Sequence, residues 1–182
     1  VSEKTSSNMT AYNHFVTGVD YLNNANFPEA VLELQKAVEL DLTFKKALYK
    51  LAIAQWWAKG VDVASSDSAT TVTLNTYLAL ANLDDDEKKL ASGVKDIVSN
   101  KYTDALEIFE YLTEIYPDNK EYWYLLGECY FHGSDKSLKA LKAFEHAMAL
   151  DPEFDLASIH IVDLYISEKM TDKAVKMVEK RL

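Results

Sequence analysis

Apolar residues fall three and four positions apart along most of this chain, the spacing of one face of an α-helix. Near the start the pattern runs through Gly18 and Tyr21, pauses at Pro28, and resumes through Ala30, Leu34 and Ala37. It returns through Gly93, Ala105, Phe109 and Leu112, and again through Trp123, Leu126, Gly127, Tyr130, Ala140, Phe144 and Ala147. A last copy passes Val162, Tyr165, Ala174 and Val178. Copies recur about every 34 residues, so the pattern predicts amphipathic helices in pairs, stacked in series.

One unit departs from that period. "KKALYKLAIAQWWA" keeps Leu48, Leu51 and Ala52 in register, then "KGVDVASSDSA" interrupts before a second helical run, "TVTLNTYLALANL". The unit is long by about seven residues, and the small and polar stretch Gly60 to Ser68 is the expected site of the excess.

The residue types suit such packing. Antiparallel helices approach closely where side chains are small, so Gly18, Ala52, Gly93 and Gly127 are expected to face Ala30, Ala105 and Ala140, with Tyr21, Tyr130, Tyr165, Phe109 and Phe144 filling the gaps beside them. Pro28 suits a helix start. Thr103 and Thr171 are expected as capping acceptors, and Pro117 and Pro152 follow helix ends. "LDDDEKK" reads as another helix start, with acidic groups facing the positive end of the dipole.

Composition narrows the class. Three prolines and five glycines in 182 residues favour helix throughout. A net charge of −10 with a single arginine, Arg181, argues against nucleic acid as a partner, because phosphate binding needs clustered Lys and Arg. One cysteine excludes an internal disulfide framework and fits either the cytosol or a bacterial periplasm, so the compartment stays open. No apolar run is long enough to insert this segment in a membrane. The chain opens on Val1, which points to a removed N-terminus. Asn8-Met9-Thr10 has the form of a glycosylation acceptor, a triplet that also arises by chance.

Trp123-x-x-Leu126-Gly127-x-x-Tyr130, followed by Ala140-x-x-x-Phe144, Ala147 and Pro152, resembles the tetratricopeptide repeat family. The resemblance divides the chain, as one repeat domain over 1–182, into repeats at about 11–44, 45–85 (degenerate, with the inserted loop), 86–119, 120–154 and 155–182. It implies an all-α, right-handed α-solenoid of about five antiparallel helix pairs, whose first helices line a concave groove. Groove-facing positions then fall on Tyr12, Phe15 and Val19 in the first repeat, and on Lys46, Tyr49, Ile53, Trp56 and Trp57 in the second. The third contributes Leu90 and Val94, and the fourth Glu121, Tyr124, Glu128, Phe131 and His132. Neighbours on a helix differ by about 100°, so of Trp56 and Trp57 one is expected in the core and the other toward the groove or the inserted loop. These side chains either hold a ligand or pack on one another.

Members of the family that grip a chaperone's C-terminal carboxylate use Lys and Asn where Phe15 and Val19 stand here, which excludes that specialisation. The segment from Ser6 to Trp57 is loosely similar to repeat regions of bacterial receptor kinases and signalling proteins, which implies a cut-out region of a larger protein.

Catalytic and metal signatures are missing from the sequence. His14, His132, His146 and His160 fall in different repeats without ligand spacing; His14 takes a packing position and the others read as solvated or peripheral. There is no nucleophile elbow, phosphate loop or calcium loop, so no enzyme activity and no cofactor are expected. Cys129 reads as a space-filling thiol, and Trp123, Leu126, Gly127 and Tyr130 as core. The leading expectation is a non-catalytic module that binds a protein or peptide. The alternative is a scaffold that self-associates into a homo-oligomer through its end repeats. A regulator whose catalytic domain lies outside this chain comes third.

Overall fold

A computed structural model describes residues 6–59, 67–133 and 137–179. Over these residues run α1 (Met9–Asn23), α2 (Phe27–Leu40), α3 (Lys45–Ala58), α4 (Asp67–Leu78), α5 (Asp85–Val98), α6 (Tyr102–Ile115), α7 (Lys120–Gly133), α8 (Ser137–Leu150), α9 (Asp155–Ser167) and α10 (Thr171–Glu179). The fold is an all-α solenoid of helix pairs. It divides into two compact units, Val1–Ala91 and Ser92–Leu182. In the first, α1 packs on α2, α2 on α3 and α3 on α4; in the second the order continues from α6 through α10.

Several helix starts are fixed by side chains. Asn8 Oδ1 accepts from the amides of Thr10 and Ala11 at 3.0 and 3.2 Å, while its amide nitrogen donates to the Leu40 carbonyl at 3.2 Å. The asparagine of the glycosylation-like triplet is thus a helix cap. At "LDDDEKK" the Glu87 amide donates to Asp84 Oδ1 at 2.8 Å and the Asp84 amide to Glu87 Oε2 at 2.9 Å, a reciprocal capping box that satisfies two orphan donors. Asn119 Oδ1 accepts from the Glu121 amide at 3.0 Å at the start of α7. Pro28 sits in the first turn of α2, where no amide is missed. Thr103, by contrast, lies one residue inside α6, whose cap position is Lys101 and carries no side-chain bond. Thr171 is the first residue of α10.

Close approach within the pairs is sharper than small against small. A Cβ on Gly18 would lie 2.6 Å from Leu34 Cγ, one on Gly93 3.0 Å from the Phe109 ring, and one on Gly127 2.5 Å from Phe144 Cε1. Leu34, Phe109 and Phe144 are each fully buried. Phe109 and Phe144 are two of the large residues expected beside the crossings, Leu34 is a further knob, and each glycine is the hole that receives one, whereas Tyr21, expected to fill such a gap, is exposed.

Three turns between paired helices share one geometry without a glycine. Ala25, Asn100 and Lys169 have φ of 56°, 58° and 60°. Around each, the following amide reaches back five residues, as from Asn26 to the Tyr21 carbonyl at 2.9 Å, from Lys101 to Asp96 at 2.8 Å and from Met170 to Tyr165 at 2.7 Å. These are Schellman ends, and they reverse the chain in few residues.

The second helix of the long unit begins earlier than expected, at Asp67 rather than at Thr71, and ends at Leu78 rather than continuing to Leu83. Asp67 and Ser68 are residues that suit a helix's first turn as well as a loop. The rest of the expected insertion, 60–66, lies outside the described residues, as does Arg181. Thr73 Oγ1 donates to Gln55 Oε1 at 2.8 Å in the interior, tying α4 to α3.

Candidate protein-binding face

In the first unit the first-helix positions form an aromatic row backed by core. Tyr12 and Phe15 on α1 are half-buried with ring centroids 6.2 Å apart, and Phe15 lies 4.8 Å from buried Phe44. Val19 is half-buried and Lys46 exposed. Tyr49 and Ile53 on α3 are buried, with Tyr49 6.4 Å from Tyr77 of α4. Trp56 and Trp57 both remain half-buried, 5.2 Å apart, and Trp57 stacks on Phe27 at the start of α2 at 5.5 Å. Trp57 thus packs against the start of α2, and both indoles keep partial exposure. Leu90 on α5 is buried.

In the second unit Val94 is buried without exposure, Glu121 and Phe131 on α7 are half-buried, and His132 is exposed. Tyr124 and Glu128 lie under them at 2% and 1% exposure. Of the residues expected in the groove, Tyr49, Ile53, Leu90, Val94, Tyr124 and Glu128 are buried. Tyr12, Phe15, Val19, Lys46, Trp56, Trp57, Glu121, Phe131 and His132 keep some toward solvent.

Glu128 is the electrostatic node of the second unit. His160 Nε2 on α9 stands 2.8 Å from Glu128 Oε1, and His132 Nε2, one turn along α7, stands 3.6 Å from Oε2. Burial, and secondarily the Glu128 charge, push the Tyr124 phenol well above its usual range. His160 is buried, not peripheral; its ring stacks on Phe144 at 5.0 Å and lies 4.9 Å from Phe131. An imidazole belongs there because its apolar faces meet phenylalanine while its edge meets the carboxylate. His14 is half-buried with Nδ1 2.6 Å from Glu33 Oε2, and His146 is exposed beside the Trp123 ring, 4.2 Å away. Among the described residues no group of three or more His, Cys, Asp or Glu is arranged to hold a metal ion.

The remaining residues of the motif are packing elements. Leu126, Gly127 and Tyr130 are buried; Trp123 is half-buried, with Nε1 donating to the Pro117 carbonyl at 2.7 Å. Cys129 is buried, and desolvation first, then the Glu128 and Glu110 charges, raise its thiol far above the ordinary range. Both effects disfavour the thiolate, which fits the space-filling role expected of this side chain.

Sequence reasoning stopped at the fourth repeat and missed a stripe in the fifth. Ile159, Asp163 and Ile166 on α9 lie 35 residues after Tyr124, Glu128 and Phe131, and are exposed. The fixed repeat offset was the signal that could have found them. Among the described residues no helix is long and apolar enough to cross a membrane. A shallow depression of about 710 Å³ opens beside the α6–α7 turn, lined by Ile115, Tyr116, Glu121 and Leu150 among others; of the expected groove residues it takes in Glu121.

Residues 97–153 match the tetratricopeptide repeat family. No curated protein matches the chain. Solved structures with a similar fold include MamA 41-end from Desulfovibrio magneticus RS-1, 18% identical, with a TM-score of 0.52 over 96% of this chain and 94% of that one. The MamA RS-1 ArsTM double mutant is 19% identical, with a TM-score of 0.52 over the same shares. A further MamA crystal structure is 19% identical, with a TM-score of 0.50 over 94% of this chain and 89% of that one. At such identity the likeness is one of fold. The tetratricopeptide match covers residues 97–153, and over nearly the whole chain the likeness to the solved structures is one of fold.

Proposed function

We propose that this tetratricopeptide-type chain is a non-catalytic interaction module, part of a larger signalling or assembly protein, that binds a peptide or partner helix along its first helices. The observation that carries the reading is the partial exposure of aromatic rings there. Phe15, Trp56 and Phe131 each rest on a neighbour yet keep surface toward solvent. Such rings offer large contact area at little cost in conformational freedom, which is why aromatic anchors dominate many binding sites.

The test is positional. A photo-reactive amino acid placed at Lys46 or Trp56, and separately at Leu32 or Leu138 on second helices, is irradiated in an extract of the source cell. Crosslinks to a polypeptide from the first pair but not the second support the reading; equal labelling, or none from the first pair, removes it.

A second reading, self-association, is favoured by Val175 and Val178 on α10, exposed at 49% and 45%. Light scattering across a concentration series separates it, because a monomer at all concentrations excludes the homo-oligomer.

A further inference from the structure

The small residues Gly18, Ala52, Gly93 and Gly127 are followed in α1, α3 and α5 by Val19, Ile53 and Val94, but in α7 by Glu128. Packing at this place needs an apolar side chain, so the carboxylate is an addition to the repeat. It is 1% exposed. Among the described residues, the groups of opposite charge at ion-pair distance from it are two imidazoles, His160 on α9 at 2.8 Å and His132 on α7 at 3.6 Å. His160 is itself buried, its ring 5.0 Å from that of Phe144 and 4.9 Å from that of Phe131. The equivalent residue of α9, Asp163, is exposed.

An ordinary imidazole changes charge near pH ~6.5. Cationic, His160 neutralises Glu128 across the α7–α9 contact; neutral, it leaves a buried carboxylate charge, which is costly without a counter-ion. The groups around the pair supply none. On α7, Tyr124 and Cys129 are acids that the Glu128 charge itself disfavours ionising. From α6, Glu110 adds a second negative charge at Cys129, and Tyr102 stacks on His132 at 5.2 Å. α8 presents the Phe144 ring, and on α9 Asp163, one turn beyond His160, is another acid. A native state that holds a proton which the unfolded chain releases loses stability as pH rises.

We propose that the Glu128–His160 pair is a proton-operated latch, which holds α9 on α7 while His160 is cationic and loosens it as pH rises through the imidazole range. His132, farther off and exposed, is a secondary partner.

Amide hydrogen exchange on the full chain reads the latch as protection of the α9 amides at about pH 6 and about pH 8.5, on either side of the imidazole range. In the parent, α9 protection is expected to fall by about tenfold or more between the two, the scale of one lost contact between opposite charges. α3, in the other unit and without a histidine, should hold its protection. Glu128→Gln and His160→Gln should each lower α9 protection at the lower pH and flatten the response to within about threefold, and the double variant should lose no more than the weaker single one. His132→Gln should keep most of the response. Should Glu128→Gln not fold by circular dichroism, Glu128→Val, which installs the residue of α1 and α5, must flatten it likewise. The latch is refuted if α9 protection in the parent stays level or rises with pH, if α3 loses as much, or if a folded variant at Glu128 or His160 keeps the parent's slope.

Discussion

Gly127 on α7 is held so close to Phe144 on α8 that a Cβ at 127 would stand 2.5 Å from the ring's Cε1. Phe144 is fully buried, with the His160 ring stacked on it, so it has nowhere to move. Replacing Gly127 with Val should therefore cost about 1–3 kcal/mol through overpacking, even though losing a mid-helix glycine by itself returns up to about 1 kcal/mol. Thermal melts should show a lower midpoint for Gly127→Val and partial recovery when Phe144→Leu is added. A variant as stable as the parent would mean the helices are not locked at this point.

This contact also shows what the sequence revealed. The period, the helix pairs and the core identity of Gly127, Leu126 and Tyr130 followed from residue spacing, because each depends on which side chain faces the same neighbour in every copy. The partner of the glycine did not. Spacing marks a position as small, but whether Ala140 or Phe144 enters the gap depends on the crossing angle of the helices. His160 was misplaced for a related reason: its burial comes from Glu128 and Phe144, contacts outside its own helix that no local pattern records. The same holds for Tyr124, whose position fitted either a groove or a core until α9 was in place. The α9 stripe was legible but unread.

The Schellman turns were hidden because none has glycine. Ala25 and Lys169 hold φ near 60°, a conformation that strains a side chain with a Cβ. Ala25→Gly and Lys169→Gly relieve that strain while adding freedom to the unfolded chain, which cancels part of the gain. Each should stabilise by a few tenths to about 1 kcal/mol, read as a raised denaturation midpoint. A lower midpoint would show that the left-handed residue is not under strain.

A tyrosine staple is repeated in the second unit. The Tyr130 hydroxyl donates to Glu110 Oε1 at 2.6 Å and the Tyr165 hydroxyl to Glu145 Oε1 at 2.6 Å, each tying a first helix to the second helix before it. Burial, then the carboxylate partner, push both phenols up to about 12. Because the folded value lies above the unfolded one, near ~10, the staples contribute fully below pH ~10 and are lost as pH climbs through about 12. The Tyr130→Phe, Tyr165→Phe variant should be slightly less stable at neutral pH, by roughly 0.5–1 kcal/mol per bond, and lose less stability than the parent between pH 9 and 11. Parallel curves for the two proteins would refute the staple.

Cys129 offers a direct probe of burial in α7. Its thiol is raised by desolvation and by the nearby Glu128 and Glu110 charges, so almost no thiolate exists at neutral pH. A thiol-reactive reagent should label the native protein only through opening of the unit and label the denatured chain at once. Gly127→Val, by loosening the α7–α8 contact, should speed native labelling. Rapid labelling of the folded parent would contradict the burial of this side chain.

The binding face calls for variants that separate contact from core. Tyr124 is 2% exposed and touches Phe144, Phe154 and His160. Truncating it to Ala should cost about 3–5 kcal/mol, the scale of removing a buried aromatic, so any loss of binding in that variant reports a damaged unit. Ile166, at 59% exposure, should tolerate Ser within about 0.5 kcal/mol. Denaturant midpoints measured on both variants beside the parent test this contrast. If Tyr124→Ala melts like the parent, α9 does not cover α7 as described, and Tyr124 returns to the face available to a partner.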